Sequence, residues 1–223
     1  MTMVLQLDPE LLITFLPQLR DYLEQLPQND LPTDQDNTAE HLSFFINFLE
    51  AEYATRLQEF KSLTSHGEIT FDLLRLIFLP QSVIFTLCET TSEPRAVRLR
   101  DISLATRFWT NNPYWELDCE YVDADNDSKL GLAAITLEIS QFKGVEKITN
   151  LKAYPMDWHP NEDEVRAKIL QRSRRWLTLA RVHHMEYHGI AYHWDSESEK
   201  MVKVKVCLIS RCQLQVDKLM ARM

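Results

Sequence analysis

Residues 114–121 read YWELDCEY, and this stretch decides the fold because its side chains alternate between two characters. The odd positions from 115 to 121 are apolar or aromatic, whereas the even positions from 116 to 120 are acids. Such alternation is typical of a β-strand with one buried face and one wet face. The polar run 123–129 then predicts a turn, and 130–139 returns as a second strand. The sequence therefore predicts a long β-hairpin.

Further elements are predicted on both sides of this hairpin. Strands are predicted over 83–88, 97–109 and 145–154, a short helix over 71–78, a long helix over 162–183, and a closing hairpin over 187–194 and 201–209. Strands joined by hairpins, with helices grouped before and between them, indicate an antiparallel α+β domain instead of alternating βαβ units. We expect a curved sheet with one long helix packed against it.

The N-terminal part of the chain is predicted to be helical. Apolar residues recur at intervals of three and four over 8–26 and over 38–63, with Pro17 expected to kink or break the first helix. The polar segment 27–37 reads as a linker. We expect an N-terminal helical segment, 1–64, and an α+β domain, 65–223, that together form one compact unit. The apolar faces fit either packing against that domain or an oligomeric coiled coil.

Composition excludes several classes of protein. The net charge of −9 disfavours nonspecific binding to nucleic acids or anionic lipids, because the summed field repels phosphate. No apolar run approaches the roughly 20 residues that span a bilayer, so no membrane insertion is expected. The four cysteines show no C-x-x-C spacing, and the N-terminus does not resemble a secretory signal. We expect reduced thiols and a cytoplasmic location.

Glycine is scarce, and this bears on nucleotide binding. The chain contains 4 glycines, which complete neither G-x-G-x-x-G nor G-x-x-x-x-G-K-[ST]. Those motifs place backbone N–H groups around phosphates. The sequence therefore predicts no ATP binding, no ATPase activity and no cofactor.

Five stretches spread along the chain carry a family resemblance. They are GEITFDLLRLIFLP at 67–80, YWELDCEY at 114–121, LKAYPMDWHP at 151–160, YHGIAY at 187–192, and a final match near 206–217. In this order they resemble the N-terminal domain, of unassigned function, that precedes the motor module in a large family of fungal AAA-type ATPases. The resemblance implies a targeting or substrate-selecting domain, and here the chain stops where the motor would begin.

A basic helix face is the first candidate site. Lys168, Arg172 and Arg175 fall on one face of the predicted helix 162–183, whereas Ile169 and Trp176 belong to its buried stripe. In an acidic chain, this face suits an acidic protein partner or the protein's own acidic strands; a solvated surface is the plain alternative.

Aromatic residues and histidines form the second candidate site. Trp158, Trp115, Tyr121 and Trp194 would bind a hydrophobic small molecule in an apolar pocket. Two functions thus stay open. One is a recognition or ligand-binding domain; the other is a cofactor-independent cyclase, isomerase or pericyclase. For the enzyme, the candidate catalytic residues are His159, His184, His188, Tyr187 and Tyr192.

No metal site is predicted. The acidic turn 123–127 resembles the start of a calcium loop, but Ser128 stands where glycine is needed and Ala134 where glutamate is needed. His184 and His188 have a zinc-like spacing of four, yet a strand is predicted to begin at 187, which breaks the helical geometry.

Overall fold

The fold is that of a computed structural model, which describes residues 9–26, 36–89, 91–124, 129–179, 187–195 and 200–208. The α-helices are α1 (Pro9–Thr14), α2 (Leu16–Gln25), α3 (Asp36–Glu52), α4 (Ala54–Thr64) and α5 (Glu162–Leu179). The strands are β1 (Glu68–Thr70), β2 (Val83–Leu87), β3 (Pro94–Thr106), β4 (Pro113–Ala124), β5 (Leu130–Ser140), β6 (Val145–Lys147), β7 (Ala153–Pro155), β8 (Tyr187–Asp195) and β9 (Lys200–Leu208). Short 3₁₀ helices cover Phe71–Ile77, Ile148–Asn150 and Met156–Trp158.

A five-stranded antiparallel sheet, in the order β5-β4-β3-β2-β7, forms the centre of the protein. The predicted hairpin is its longest pair, with Trp115 opposite Ile139, Leu117 opposite Leu137 and Cys119 opposite Ile135. Leu117 and Cys119 are fully buried, as the alternation predicted. The α+β fold class is confirmed.

A β-bulge in β3 changes which residues face the core. Pairing with β4 shifts between Leu99 and Asp101, and the buried positions change from Val97 and Leu99 to Ile102. The Asp101 carboxylate accepts a hydrogen bond from the Ile102 N–H at 2.8 Å. One extra residue on the bulged strand reverses the parity of every residue after it.

The continuous strand predicted over 145–154 is wrong. The segment divides into β6, which pairs with β1, and β7, which pairs with β2 in the main sheet. Between them Ile148, which is fully buried, lies in a 3₁₀ turn. Because the two halves of this segment pair with strands of different sheets, it cannot form one continuous strand. The 3₁₀ turn changes the direction of the chain between the two halves.

The N-terminal helices pack on the same core as the sheet. Ile13, Leu16, Ile46 and Leu49 belong to one buried cluster with the sheet residues. The predicted break near Pro17 is confirmed, since α1 ends at Thr14 and proline lies in the first turn of α2. The second predicted helix, 38–63, is divided at Tyr53 into α3 and α4. The periodicity of the sequence did not predict this interruption. Most of the predicted linker lies outside the described residues.

The long helix and the closing hairpin are found where they were predicted. α5 begins at Glu162, and the last residues of the predicted helix, 180–183, lie outside the described residues. β8 and β9 pair antiparallel, with Tyr187 opposite Leu208. Within the described parts of the chain, no helix combines the length and hydrophobicity needed to cross a membrane.

Burial of the Cys119 thiol predicts a specific alkaline effect on stability. Desolvation, with a smaller contribution from the Asp118 carboxylate, raises the pKa of Cys119 from 9.0 to about 12. The unfolded chain thus loses this proton first as pH rises. The stabilisation is complete below pH 9 and is lost progressively as pH rises towards about 12.

We therefore expect the stability difference between the wild type and Cys119→Ala to shrink above pH 9, by at most about 1.4 kcal/mol per pH unit. Urea unfolding of both proteins over a pH series measures that difference, in which the titration of other groups cancels. A difference that stays constant across the series would contradict the buried thiol.

Candidate functional site

A groove of about 550 Å³ lies between α5 and one end of the main sheet. β2 to β5 form its floor, and residues 169–177 of α5 form its wall. The lining residues are Val83, Arg95, Ala96, Val97, Arg98, Glu120, Tyr121, Val122, Leu132, Ile169, Arg172, Ser173, Trp176 and Leu177.

Strand alternation explains how the floor is built. Leu99 and Cys119 face the core as an opposed pair, so Arg98 and Glu120, the next opposed pair, face the other way. We call this second side of the sheet the outer face. Val122, two residues beyond Glu120, lies on the outer face opposite Leu132.

The groove has an apolar rim that is open to solvent. Val122, Leu132 and Leu177 are 56%, 62% and 48% exposed. Trp176, only 9% exposed, lies in the wall, and its indole Nε1 has no hydrogen-bond partner among the described residues. Exposed apolar side chains that line one concave surface are typical of a binding site.

Three arginines bring charge to this apolar surface: Arg95, which lies over the Tyr121 ring, and Arg98 and Arg172, which contact acidic or carbonyl groups. Arg98 Nε donates to Glu120 Oε1 at 2.6 Å, and the Arg98 side chain is 47% exposed while that of Glu120 is 13% exposed. Arg172 Nη2 donates to the Pro94 carbonyl at 2.5 Å, and its Nη1 lies 4.0 Å from Glu93 Oε2. The Arg98 guanidinium is therefore held by β4, and the Arg172 guanidinium is held by the start of β3 and the residue before it.

The predicted basic face is only partly free. Lys168 Nζ lies 3.5 Å from Glu93 Oε2, so Lys168 and Arg172 both approach an acid of the same chain. Exposed pairs of this kind contribute about 0–1 kcal/mol. Arg175 is exposed and does not line the groove. The structure brings one of the three predicted residues, Arg172, to the groove.

The predicted ligand-binding aromatics lie in different places. Tyr121 is among the lining residues, although it has the parity of Cys119 and packs against the core; the Arg95 guanidinium lies 4.1 Å from its ring centroid. Trp115 is a core residue whose Nε1 donates to the Phe71 carbonyl at 2.9 Å. Trp158 packs against the core from the last 3₁₀ helix. Trp194 lies on β8, and its side chain is outside the described part of the structure.

Among the residues that the structure describes, none of the catalytic candidates lines the groove. His159 lies against Phe85 and Tyr154, with ring centroids 4.7 and 6.2 Å away, and its Nδ1 accepts from the Asn161 N–H at 3.0 Å. Burial raises the pKa of Tyr154. Tyr187, His188 and Tyr192 are backbone positions of β8, whose side chains are not described, and His184 falls outside the described ranges.

Sequence reasoning missed most of the floor of the groove. Val122, which the alternation assigned to solvent, and its partner Leu132 are apolar, exposed and part of the lining. The signal that could have predicted this surface was the presence of apolar residues on the polar face of the predicted hairpin. The Arg98–Glu120 pair could not be foreseen, because it requires the register between β3 and β4.

Comparison with known families finds one match. Residues 59–160 match a family described as a domain of unknown function, DUF7025. No curated protein and no solved structure matches the chain. The match includes β1 to β7 and the stretches 67–80, 114–121 and 151–160, whereas α5 and the stretches 187–192 and 206–217 lie beyond it. Residues 59–160 of this chain are therefore similar to the DUF7025 family.

Proposed function

We propose that this chain is a recognition domain that binds a mainly hydrophobic ligand in the groove between α5 and the outer face of the sheet. The observation that carries the proposal is the exposed apolar rim of Val122, Leu132 and Leu177 around a groove of about 550 Å³. Small-molecule sites commonly have volumes of about 300–1,000 Å³ and mostly apolar walls. A hydrophobic small molecule fits these dimensions best.

The charged groups of the groove suit binding more than catalysis. Glu120 is the carboxylate of the lining, and it is already bonded to Arg98. The lining residues include no histidine, cysteine or lysine that could act as a proton-transfer group or nucleophile. A cofactor-independent cyclase, isomerase or pericyclase stays the alternative function, for which His159, His184, His188, Tyr187 and Tyr192 are the candidates.

A proposal for the wider biological role rests on the resemblance of this sequence to an ATPase N-terminal domain. We propose that the domain corresponds to the N-terminal domain of fungal AAA-type ATPases, that it acts in the cytoplasm, and that it has no ATPase activity of its own. A ligand or protein partner bound by such a domain would be presented to a motor or to another protein.

The proposal is tested with Nile red, a neutral dye whose fluorescence rises in apolar sites. Leu132→Glu and Leu177→Glu each place a charge on the rim, and we expect either change to weaken dye binding about tenfold or more, because burying an unpaired charge costs more than about 1.4 kcal/mol. Both positions are exposed, so the melting temperature should change little.

Leu170→Glu is the matched control. Leu170 is on the same helix and is 50% exposed, but it does not line the groove. Its substitution should leave dye affinity unchanged. If the wild type does not bind the dye, or if all three variants bind it equally well, the groove is not the binding site.

A further inference from the structure

The accessible charge inside the groove is positive. Glu120 is the less exposed member of its pair, and its Oε1 is occupied by Arg98. Arg98 uses its Nε and Nη2 for that contact, and in the described part of the chain its Nη1 has no hydrogen bond or ion pair. A guanidinium group carries five N–H donors, so Arg98 can bind an anion while it stays paired with Glu120.

Arg172 supplies a second guanidinium group near the same part of the floor. Its Nη2 is bonded to the Pro94 carbonyl, four residues before Arg98 on β3. Ala96 lies midway between these two points, about 6–7 Å along the strand from each. Ala96 lines the groove and has only a methyl side chain, so it adds little bulk between the two arginines.

The apolar rim continues from this position. In an antiparallel pair, moving from Arg98 towards Ala96 corresponds to moving from Glu120 towards Val122 on the neighbouring strand. Val122 and its partner Leu132 therefore lie on the same side of the Arg98–Glu120 pair as Ala96. An anionic group above Ala96 would have an apolar surface next to it.

We propose that the groove selects amphipathic anions, with a carboxylate held above Ala96 by Arg98 and Arg172 and an apolar chain lying against Val122, Leu132 and Leu177. This inference rests on the proposed function and names its ligand class. The net charge of −9 repels anions at long range, so the selectivity comes from direct contact with the two guanidinium groups.

The test compares three ligands with the same alkyl chain: dodecanoate, dodecanol and dodecyltrimethylammonium. Each competes with Nile red below the concentration at which it forms micelles, and calorimetry gives the dissociation constants directly. For the wild type we expect dodecanoate to bind at least about tenfold more tightly than the dodecyltrimethylammonium cation, with dodecanol between them.

Charge-removing variants locate the selectivity. Arg98→Gln combined with Glu120→Gln removes the guanidinium group without leaving a half-buried carboxylate unpaired, and Arg172→Gln removes the second cation. In each we expect the ratio between anion and cation affinities to fall towards one, while dodecanol affinity changes little. Arg175→Gln, on the same helix but outside the lining, should keep the wild-type ratio.

Two results overturn the inference. One is equal affinity of the wild type for dodecanoate and the cation; the other is a preference for dodecanoate that survives in both groove variants. If dodecanol and Nile red still bind in these cases, the proposed function stands and only the ligand class is wrong. If none of the three ligands nor the dye binds, the proposed function fails as well.

Discussion

Trp115→Ala is expected to lower the free energy of unfolding by about 3–5 kcal/mol. Trp115 is 6% exposed and lies near the start of β4, opposite Ile139 and 6.2 Å from the Phe71 ring centroid. Alanine would leave a large cavity, and the Phe71 carbonyl would lose the indole N–H that it accepts at 2.9 Å. Both losses act on the folded state, and urea unfolding measures their sum.

Two variants separate the causes of this loss. Trp115→Phe keeps an aromatic ring but removes the donor, and we expect it to cost about 1–3 kcal/mol, the range for a buried polar group left unpaired. Trp109→Ala removes the same side chain from a position that is 90% exposed, so it should change stability by about 0.5 kcal/mol or less. Equal effects of Trp115→Ala and Trp109→Ala would show that Trp115 is not a core residue.

Leu49→Ala is expected to destabilise the whole protein by about 2–5 kcal/mol, although it lies in the predicted N-terminal helical segment. Leu49 is 2% exposed in α3 and belongs to the same buried cluster as Leu117 of β4. An ion pair between Arg20 and Glu50 also joins α2 to α3. The segment 1–64 and the domain 65–223 should therefore unfold in one transition.

The adjacent Phe48 provides the control for this prediction. Phe48 is 53% exposed, and Phe48→Ala should cost far less than Leu49→Ala. Unfolding followed by far-UV circular dichroism and by tryptophan fluorescence should give coincident curves for Leu49→Ala. Loss of helical signal before the fluorescence change would show that the N-terminal helices form a separate unit.

The range that matches the DUF7025 family bears on how the groove is built. The floor residues from Val83 to Leu132 lie inside the matched range, whereas the wall residues of α5, such as Ile169 and Trp176, lie after it. Binding in the groove would thus depend on a helix outside the matched domain. The substitutions at Leu132 and Leu177 test one floor residue inside the matched range and one wall residue after it.

The sequence by itself determined the elements whose patterns are local. Alternation along 114–121 identified β4 and its buried face, and the break at Pro17 and the start of α5 were also predicted correctly. These features depend on side-chain period and on chain breakers within a few residues. Such signals are present in the sequence before any long-range contact forms.

The tertiary structure alone decided what depends on contacts between distant residues. The division of 145–154 between two sheets follows from pairing with β1 and β2, far along the chain, and the bulge at Leu99 follows from the register between β3 and β4. The groove depends on such pairing too, because Val122 and Leu132 become one surface only through their register, and Trp176 becomes its wall only when α5 packs on the sheet. Local periodicity cannot specify these contacts, since each requires the free energy of packing two segments that the sequence keeps apart.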